Sequence, residues 1–227
     1  MRPTTSSLPV QRRSGVGLRW VAAAALVALQ LGGCAPLVVG GAMVGGTMMY
    51  VDRRTTGAQV EDGTIELKAS SRVGELMGDR AHVNITSYNR TVLLTGEVPT
   101  EADRAAVEQA VQRIENVRST VNELAVALPS SVSSRSNDSF LTTKVKATFV
   151  DAKDLQANAI KVVTERGNVY LMGRVTEREA TRATDLTRTV SGVQKVVRVF
   201  EIITEAELAE LNAKNETPPP KNEPPKK

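Results

Sequence analysis

Two stretches of the chain alternate apolar and polar positions across a short turn, which is the pattern of a β-hairpin. The first runs from Val83 to Val98 and the second from Ile160 to Val175, at an offset of 77 residues. Their turns fall at residues 88–90 and 165–168, where Asn and Gly tolerate the positive φ of tight hairpins. The chain therefore repeats one supersecondary unit.

Each hairpin is followed by a helical pattern that begins at a threonine. Thr100 stands three residues before Asp103, and Thr176 stands three residues before Glu179. The threonine hydroxyl accepts a backbone N–H of the first turn, and the acid favours the positive end of the helix dipole. A further amphipathic helix is predicted upstream of each hairpin. Its inward positions are Ile65, Ala69 and Val73 in the first unit and Leu141, Val145 and Phe149 in the second.

Valine-rich strands close both units, at residues 121–126 and 197–202. Each unit thus contains helix, strand, strand, helix and strand, and a helical crossover allows the last two strands to pair in parallel. We predict an α+β fold of two tandem domains, each with a three-stranded mixed sheet and two packed helices. The predicted domains span residues 57–128 and 137–204, joined by a Ser-rich linker at 129–136, and the first helix of the second domain is expected near Asp138.

The formal net charge of +4 is confined to the N-terminal segment. Residues 1–33 contain four arginines and no acidic residue, so the chain from residue 34 onward has no net charge. An uncharged, largely apolar run from Trp20 to Leu31 follows the arginines, and as a helix it would rise only about 18 Å, less than a bilayer core of about 30 Å. Residues 1–33 are therefore predicted to be a secretory signal.

The run Leu31-Gly32-Gly33-Cys34 resembles the lipobox of bacterial lipoproteins. The resemblance implies that Cys34 is diacylated, with palmitate-type chains, and becomes the mature N-terminus. Ala35 in the next position implies delivery to the outer membrane. The alternative is an uncleaved anchor that contains Cys34 as a free thiol. Residues 34–56 are glycine-rich and are predicted to be a tether, although Gly41-x-x-x-Gly45 would also allow two membrane helices to pack.

The C-terminal segment, residues 205–227, is predicted to be an extension that ends in a disordered tail. Five of the ten prolines lie in the last ten residues, mixed with Lys, Asn and Glu. Such a composition cannot bury enough apolar surface to offset the entropy of ordering. We expect disorder from about residue 212.

Few residues are available for catalysis or metal binding. The chain has one Cys and one His, which excludes an internal disulfide, a Cys/His zinc cluster and a redox Cys-x-x-Cys pair. No nucleophile and base pattern is recognisable, so no enzyme activity, cofactor or metal is predicted. His82 is expected to be structural or exposed, the acids Glu61 and Asp62 are expected at a helix N-terminus, and Gly96 and Gly173 are expected at close backbone approaches.

The element order, the glycines at 96 and 173, and the valine-rich last strands resemble the BON domain, named for bacterial outer-membrane and nodulation proteins. The most distinctive runs are Gly57 to Thr64, Leu141 to Lys146 and Leu171 to Ala180. Two such domains behind a lipobox imply a lipid-anchored protein on the periplasmic face of the outer membrane. The family further implies that the first helix of the second domain contacts phospholipid and begins with an aromatic residue.

Charge supports a functional difference between the repeats. Residues 57–128 contain seven basic and eleven acidic residues, a net charge of −4, whereas residues 129–203 contain twelve and eight, a net charge of +4. A basic module held at a membrane faces anionic headgroups. The same charges would alternatively dock the two domains on each other. Export argues against nucleic acid as a partner.

The resulting hypothesis is a non-enzymatic outer-membrane lipoprotein whose second domain binds anionic phospholipid of the phosphatidylglycerol type and supports envelope integrity. The predicted contact residues are Phe140, Leu141, Lys144 and Lys146. Two alternatives remain. Phe140 would instead cover its own domain's core, or the protein would be a periplasmic scaffold that recruits outer-membrane assembly proteins through its acidic domain or its tail.

Overall fold

A computed structural model describes residues 52–216 of the 227-residue chain. The predicted signal peptide, Cys34, the tether up to residue 51 and the proline-rich tail from residue 217 lie outside the described residues. Between residues 52 and 216, no helix is both long and apolar enough to cross a membrane.

Domain 1 and domain 2 repeat the same order of elements. Domain 1 contains α1 (Thr56–Met77), β1 (His82–Tyr88), β2 (Thr91–Val98), α2 (Glu101–Gln112), β3 (Ser119–Asn122) and β4 (Ala125–Val126). Domain 2 contains α3 (Val132–Asp151), β5 (Lys161–Glu165), β6 (Asn168–Val175), α4 (Glu177–Thr189) and β7 (Lys195–Ile202), and α5 (Glu205–Glu216) follows it.

Both sheets are mixed, with the second strand of the hairpin at the centre. β2 pairs antiparallel with β1 and parallel with β3 and β4, and β6 pairs antiparallel with β5 and parallel with β7. The short β4 continues the third strand of domain 1 after an interruption, where the Asn122 side chain accepts a hydrogen bond from the backbone of Leu124. The predicted α+β fold of two three-stranded mixed sheets is confirmed.

The hairpin turns have the geometry that their sequences indicate. Asn89 and Arg90 have φ values of 48° and 67°, and Arg166 and Gly167 have 53° and 74°. Two successive positive φ angles define the two-residue turn that matches strand twist. Each turn therefore fixes the register of its hairpin, which pairs His82 with Glu97 in domain 1.

Helix starts follow the predicted caps with one exception. Thr100 accepts a hydrogen bond from the backbone of Asp103, and Thr176 forms a complete capping box with Glu179. The first helix of domain 2, expected near Asp138, instead begins at Val132. The Ser131 hydroxyl accepts a hydrogen bond from the Ser134 backbone, so the segment whose serines suggested a linker contains the helix cap and more than one turn of helix.

Three apolar clusters stabilise the two domains. Each domain has its own core between its two helices and one face of its sheet. The third cluster joins the opposite sheet faces of the two domains, with Tyr88 and Leu93 from domain 1 against Tyr170 and Met172 from domain 2. Polar contacts add to it, including an ion pair of 3.0 Å between Lys161 and Glu66.

The C-terminal extension remains helical beyond the expected limit of order. α5 continues to Glu216, whereas disorder was expected from about residue 212. Thr204 explains its start, because the Thr204 hydroxyl accepts from the Glu207 backbone and the Glu207 carboxylate accepts from the Thr204 backbone.

Candidate functional site

The outer side of α3 presents an exposed aromatic ring beside a lysine. Phe140 is 62% exposed and belongs to neither domain core. The Nζ atom of Lys144 lies 4.7 Å from the centre of the Phe140 ring, within the range of a cation–π contact. Phe140 therefore does not cover the core of domain 2, which was the alternative prediction.

The remaining predicted contact residues divide between the core and the surface. Leu141 is only 7% exposed and packs in the core of domain 2 with Val145 and Phe149, so it is not part of the exposed surface. Lys146 is exposed. The physical reason is the helical period, which turns Leu141 about 100° away from Phe140.

An apolar strip, interrupted by the exposed Thr143, runs along α3 opposite its buried side. Phe140, Ala147 and Val150 are all exposed, and a rotation of about 100° per residue brings them to one side of the helix. The same rotation places Lys144 and Lys146 on opposite flanks of that strip, each about 80° from its middle. We call these three apolar residues and two lysines the outer face of α3.

The two lysines of this face are available to an anion. Within residues 52–216 neither Lys144 nor Lys146 forms an ion pair. Other lysines of domain 2 are used between the domains, because Lys161 pairs with Glu66 and Lys195 lies 3.9 Å from Glu123. The charge difference between the repeats thus contributes to docking, but the outer face of α3 takes no part in it.

An open groove of about 680 Å³ borders this face where the domains meet. Phe140 and Lys144 line one side of it, and Leu128 and Ser130 from the connection between the domains line another. Leu128 is 88% exposed. Leu128 therefore adds one exposed apolar side chain beside α3, in a groove whose other residues are mostly polar.

A polar cluster that sequence reasoning missed lies between the domains. The Nδ1 atom of His82 is 3.2 Å from Oε2 of Glu97, and the Asn84 side chain donates a 2.7 Å hydrogen bond to Glu165. The pKa of the Glu165 carboxyl is raised, mainly by burial and also by the nearby carboxylates of Glu97 and Asp138. The hydrogen bond from Asn84 and the nearby His82 act to lower this pKa, but they do not outweigh the burial. The turn at residues 89–90 sets the strand register, so it could have predicted that His82 faces Glu97. It could not have predicted the contact of Asn84 with Glu165 of domain 2.

Two equivalent aspartates hold the hairpin turns. Asp62 accepts hydrogen bonds of 2.8 Å from the backbone N–H groups of Asn89 and Arg90. Asp138, 76 residues later, accepts 2.9 Å bonds from Arg166 and Gly167. Asp62 was expected as a helix N-terminal acid, but α1 begins at Thr56 and Asp62 is buried in its second turn. The repeat offset was the signal that could have found this pair.

Gly96 and Gly173 occupy matching positions of close backbone approach. A Cβ atom on Gly96 would collide with the carbonyl oxygen of His82, and one on Gly173 would collide with that of Ala159. Gly96 also has a φ of 109°, which L residues rarely adopt. These glycines let the chain at the start of each hairpin lie close to the second strand.

Comparison with known proteins gives the family. A model of the BON domain matches residues 61–127 and residues 137–204. The chain belongs to the BON-domain family. The predicted resemblance is thereby confirmed, and the two matches coincide with the two repeats of this BON protein.

Two relatives of this BON protein cover most of its length. Outer membrane lipoprotein DolP of Haemophilus influenzae is 39% identical over 176 residues, which are 76% of this chain and 90% of DolP. The 21 kDa hemolysin of Actinobacillus pleuropneumoniae is 30% identical over 155 residues, 67% of this chain and 80% of the relative. A solved structure of CdsD, a structural protein of the type III secretion system of Chlamydia trachomatis, aligns over 71% of this chain and 99% of its own, at 13% identity and a TM-score of 0.28, too low to support an argument.

Proposed function

We propose that this protein is a non-enzymatic lipoprotein of the outer membrane, anchored through Cys34 on the periplasmic side, whose second BON domain binds anionic phospholipid and so supports envelope integrity. The lipobox-like sequence and the similarity to an outer membrane lipoprotein support the anchor. The single observation that carries lipid binding is the exposed Phe140 ring with Lys144 above it.

The physical case for lipid binding rests on the outer face of α3. An apolar strip with lysines on both flanks can insert into the headgroup boundary while the ammonium groups contact phosphates. Each basic residue near an anionic surface contributes about 1 kcal/mol, so Lys144 and Lys146 together favour binding by about 30-fold. A lipid anchor on the same chain raises the local concentration of this face at the membrane.

Vesicle flotation tests this proposal without the anchor. The fragment 52–227 retains Arg53 and every residue of the three apolar clusters. We expect it to float with phosphatidylglycerol vesicles and not with phosphatidylcholine vesicles. The triple variant Phe140→Ala, Lys144→Glu, Lys146→Glu is expected to stay at the bottom of the gradient.

Matched controls separate the proposed face from general charge. Arg178→Glu with Arg188→Glu makes the same charge change on exposed positions of α4, and Leu67→Ala removes an exposed apolar side chain from domain 1. We expect both control variants to float nearly as the unchanged fragment does. Equal flotation of the triple variant and the unchanged fragment would remove the outer face of α3 as the site.

One observation favours a second function, that of a periplasmic scaffold for outer-membrane assembly proteins. Domain 1 has an open groove of about 710 Å³ between α1 and α2, with Leu76 and Ile114 among its apolar residues and Arg72 and Glu115 among its charged ones. A photo-crosslinker at Ala110 in this groove distinguishes the two functions in cells. A specific protein adduct that persists in the triple α3 variant would favour the scaffold.

A further inference from the structure

Three side chains with metal-ligating atoms converge between the two domains. His82 begins β1 and faces Glu97 across the first hairpin, while Glu165 ends β5 of domain 2. One ligand atom from each of the three residues lies within 4.8 Å of the others. Two of these ligands therefore come from domain 1 and the third comes from domain 2.

The cluster contains two buried carboxylates that have no lysine or arginine partner in the described part of the chain. Glu97 is 1% exposed and Glu165 is 4% exposed. Among residues 52–216, no lysine or arginine forms an ion pair with either glutamate. Burying carboxylates without a counter-charge is unfavourable. Two ionised carboxylates and one neutral imidazole together match the charge of one divalent cation.

The carboxylates are held in place by neighbouring donors. The backbone N–H of Ser130 donates a 3.1 Å hydrogen bond to Oε2 of Glu97, and the side chain of Asn84 donates to Oε2 of Glu165. The other oxygen of Glu97, Oε1, is buried and has no hydrogen-bond partner in the described part of the chain. Outer hydrogen bonds of this kind orient metal ligands, and an unpartnered buried oxygen is a free lone pair for a cation.

The donor set selects among cations. One imidazole nitrogen and two carboxylate oxygens suit Zn²⁺ and similar first-row ions, whereas Mg²⁺ and Ca²⁺ prefer oxygen ligands alone. Zn²⁺ bonds of about 2.0–2.2 Å require the three side chains to close by about 1 Å. An open depression of about 240 Å³ is lined by His82 and Glu165, and also by Arg135. It gives an ion and a fourth, water ligand access to these two ligands, whereas the buried Glu97 does not line it.

We infer that His82, Glu97 and Glu165 form a Zn²⁺-type divalent cation site that joins the two BON domains. The ion takes its ligands from both domains, so its binding stabilises their docked arrangement. The sequence has a single His and a single Cys, and for that reason no metal was predicted. Sequence reasoning could not find this site, because Glu165 reaches it only when the two domains are docked.

Isothermal titration of the chelator-treated full chain in detergent with ZnCl₂ tests this inference. Every sample carries Cys34→Ser, so that the only thiol of the chain does not bind the ion. We expect one Zn²⁺ per chain and a higher melting temperature with Zn²⁺, and neither effect with MgCl₂. Glu165→Gln and His82→Gln are expected to weaken Zn²⁺ binding by about 10- to 100-fold or more.

Glu201→Gln is the matched control, because Glu201 also contacts the other domain, through Asn89, but lies outside the cluster. It is expected to bind Zn²⁺ as the unchanged chain does. Titration with Co²⁺ gives a readout that needs no variant, since visible absorption bands of the bound ion should disappear on addition of Zn²⁺. Absence of Zn²⁺ binding to the unchanged chain, or equal binding by Glu165→Gln and His82→Gln, would overturn the site.

Discussion

Arg53 and Glu179 form a bidentate ion pair in which Nη1 lies 2.7 Å from Oε2 and Nη2 lies 2.8 Å from Oε1. Both side chains are almost fully buried. Arg53 precedes domain 1 in the chain, whereas Glu179 is in the first turn of α4 in domain 2. The C-terminal end of the predicted tether is therefore fastened to the second domain, the one with the proposed lipid-contacting face.

Loss of the Arg53 side chain is expected to destabilise the protein. Arg53→Ala leaves the Glu179 carboxylate buried without its counter-charge, which typically costs about 3–5 kcal/mol. Urea unfolding of the fragment 52–227 measures this change in free energy. Arg72→Ala removes an exposed i,i+3 pair with Glu75 and is expected to cost less than about 0.5 kcal/mol. Similar losses for the two variants would contradict a structural role for the Arg53 pair.

The aspartate that holds the second hairpin turn gives a local prediction. Asp138→Ala removes the acceptor of the buried Gly167 N–H, and an unsatisfied buried donor costs about 1–3 kcal/mol. Hydrogen exchange by NMR should show faster exchange at Arg166 and Gly167. Asp151→Ala, at the exposed end of the same helix, is the control and should leave the turn protected. Unchanged exchange at Gly167 in Asp138→Ala would show that the turn holds without the carboxylate.

Sequence reasoning predicted the parts of the fold that depend on local chemistry. The turns at Asn89 and Gly167 and the caps at Thr100 and Thr176 are short-range features, and the structure has all of them. The start of α3 was misplaced because serines are common both in linkers and at helix caps, and only the hydrogen bond of Ser131 distinguishes the two.

Contacts between the domains lay beyond such reasoning. The pattern of apolar residues in β2 and β6 indicates that each sheet has a second apolar face. The pattern does not predict that Leu93 of one sheet packs with Met172 of the other. The convergence of Glu165 with His82 and the pairing of Arg53 with Glu179 likewise depend on docking. For the proposed lipid face, the helical period correctly separated the buried Val145 from the exposed Phe140.

The pH dependence of stability should report on two buried carboxylates. Burial acts to raise the pKa of Asp62, but hydrogen bonds from Ser87, Arg90, Arg54 and Asn89 outweigh it and hold the pKa below its ordinary value. In Glu179, hydrogen bonds from Arg53 and Thr176 likewise outweigh burial and lower the pKa.

A carboxyl whose folded pKa is lowered stabilises the protein fully above its unfolded pKa of about 4, and this contribution is lost as pH falls through the folded pKa. We therefore expect the free energy of unfolding to fall as pH is lowered below about 5. Asp62→Asn should be less stable at neutral pH and show a shallower decline in acid, as measured by urea unfolding from pH 7 to pH 2. An unchanged slope would argue against a lowered pKa at Asp62.

Substitution by alanine should have opposite effects on stability at Gly173, where two backbone segments lie close together, and at a glycine in open space. Gly173→Ala places a Cβ against the carbonyl oxygen of Ala159 and is expected to cost about 1–3 kcal/mol, the range of an overpacked site. Gly74→Ala, in the last turn of α1 with no atom within 4 Å of the new Cβ, should instead stabilise the protein by about 0.5–1 kcal/mol. Thermal unfolding measures both. A neutral Gly173→Ala would mean that the backbone at Ala159 moves away easily from β6.

The aromatic residue of the outer face of α3 gives the sharpest test of membrane contact. The Phe140 ring lacks the indole N–H of tryptophan, which favours the membrane interface. Phe140→Trp should therefore bind phosphatidylglycerol vesicles more tightly. Trp20 is the only tryptophan of the chain, so in the fragment 52–227 the introduced indole is the sole tryptophan emitter. Its emission should shift to the blue with phosphatidylglycerol vesicles and not with phosphatidylcholine vesicles, and the shift should weaken as salt screens Lys144. An emission maximum that stays at the value of an exposed indole with both lipids would place this face in water, and lipid binding would then have to be sought elsewhere on the protein.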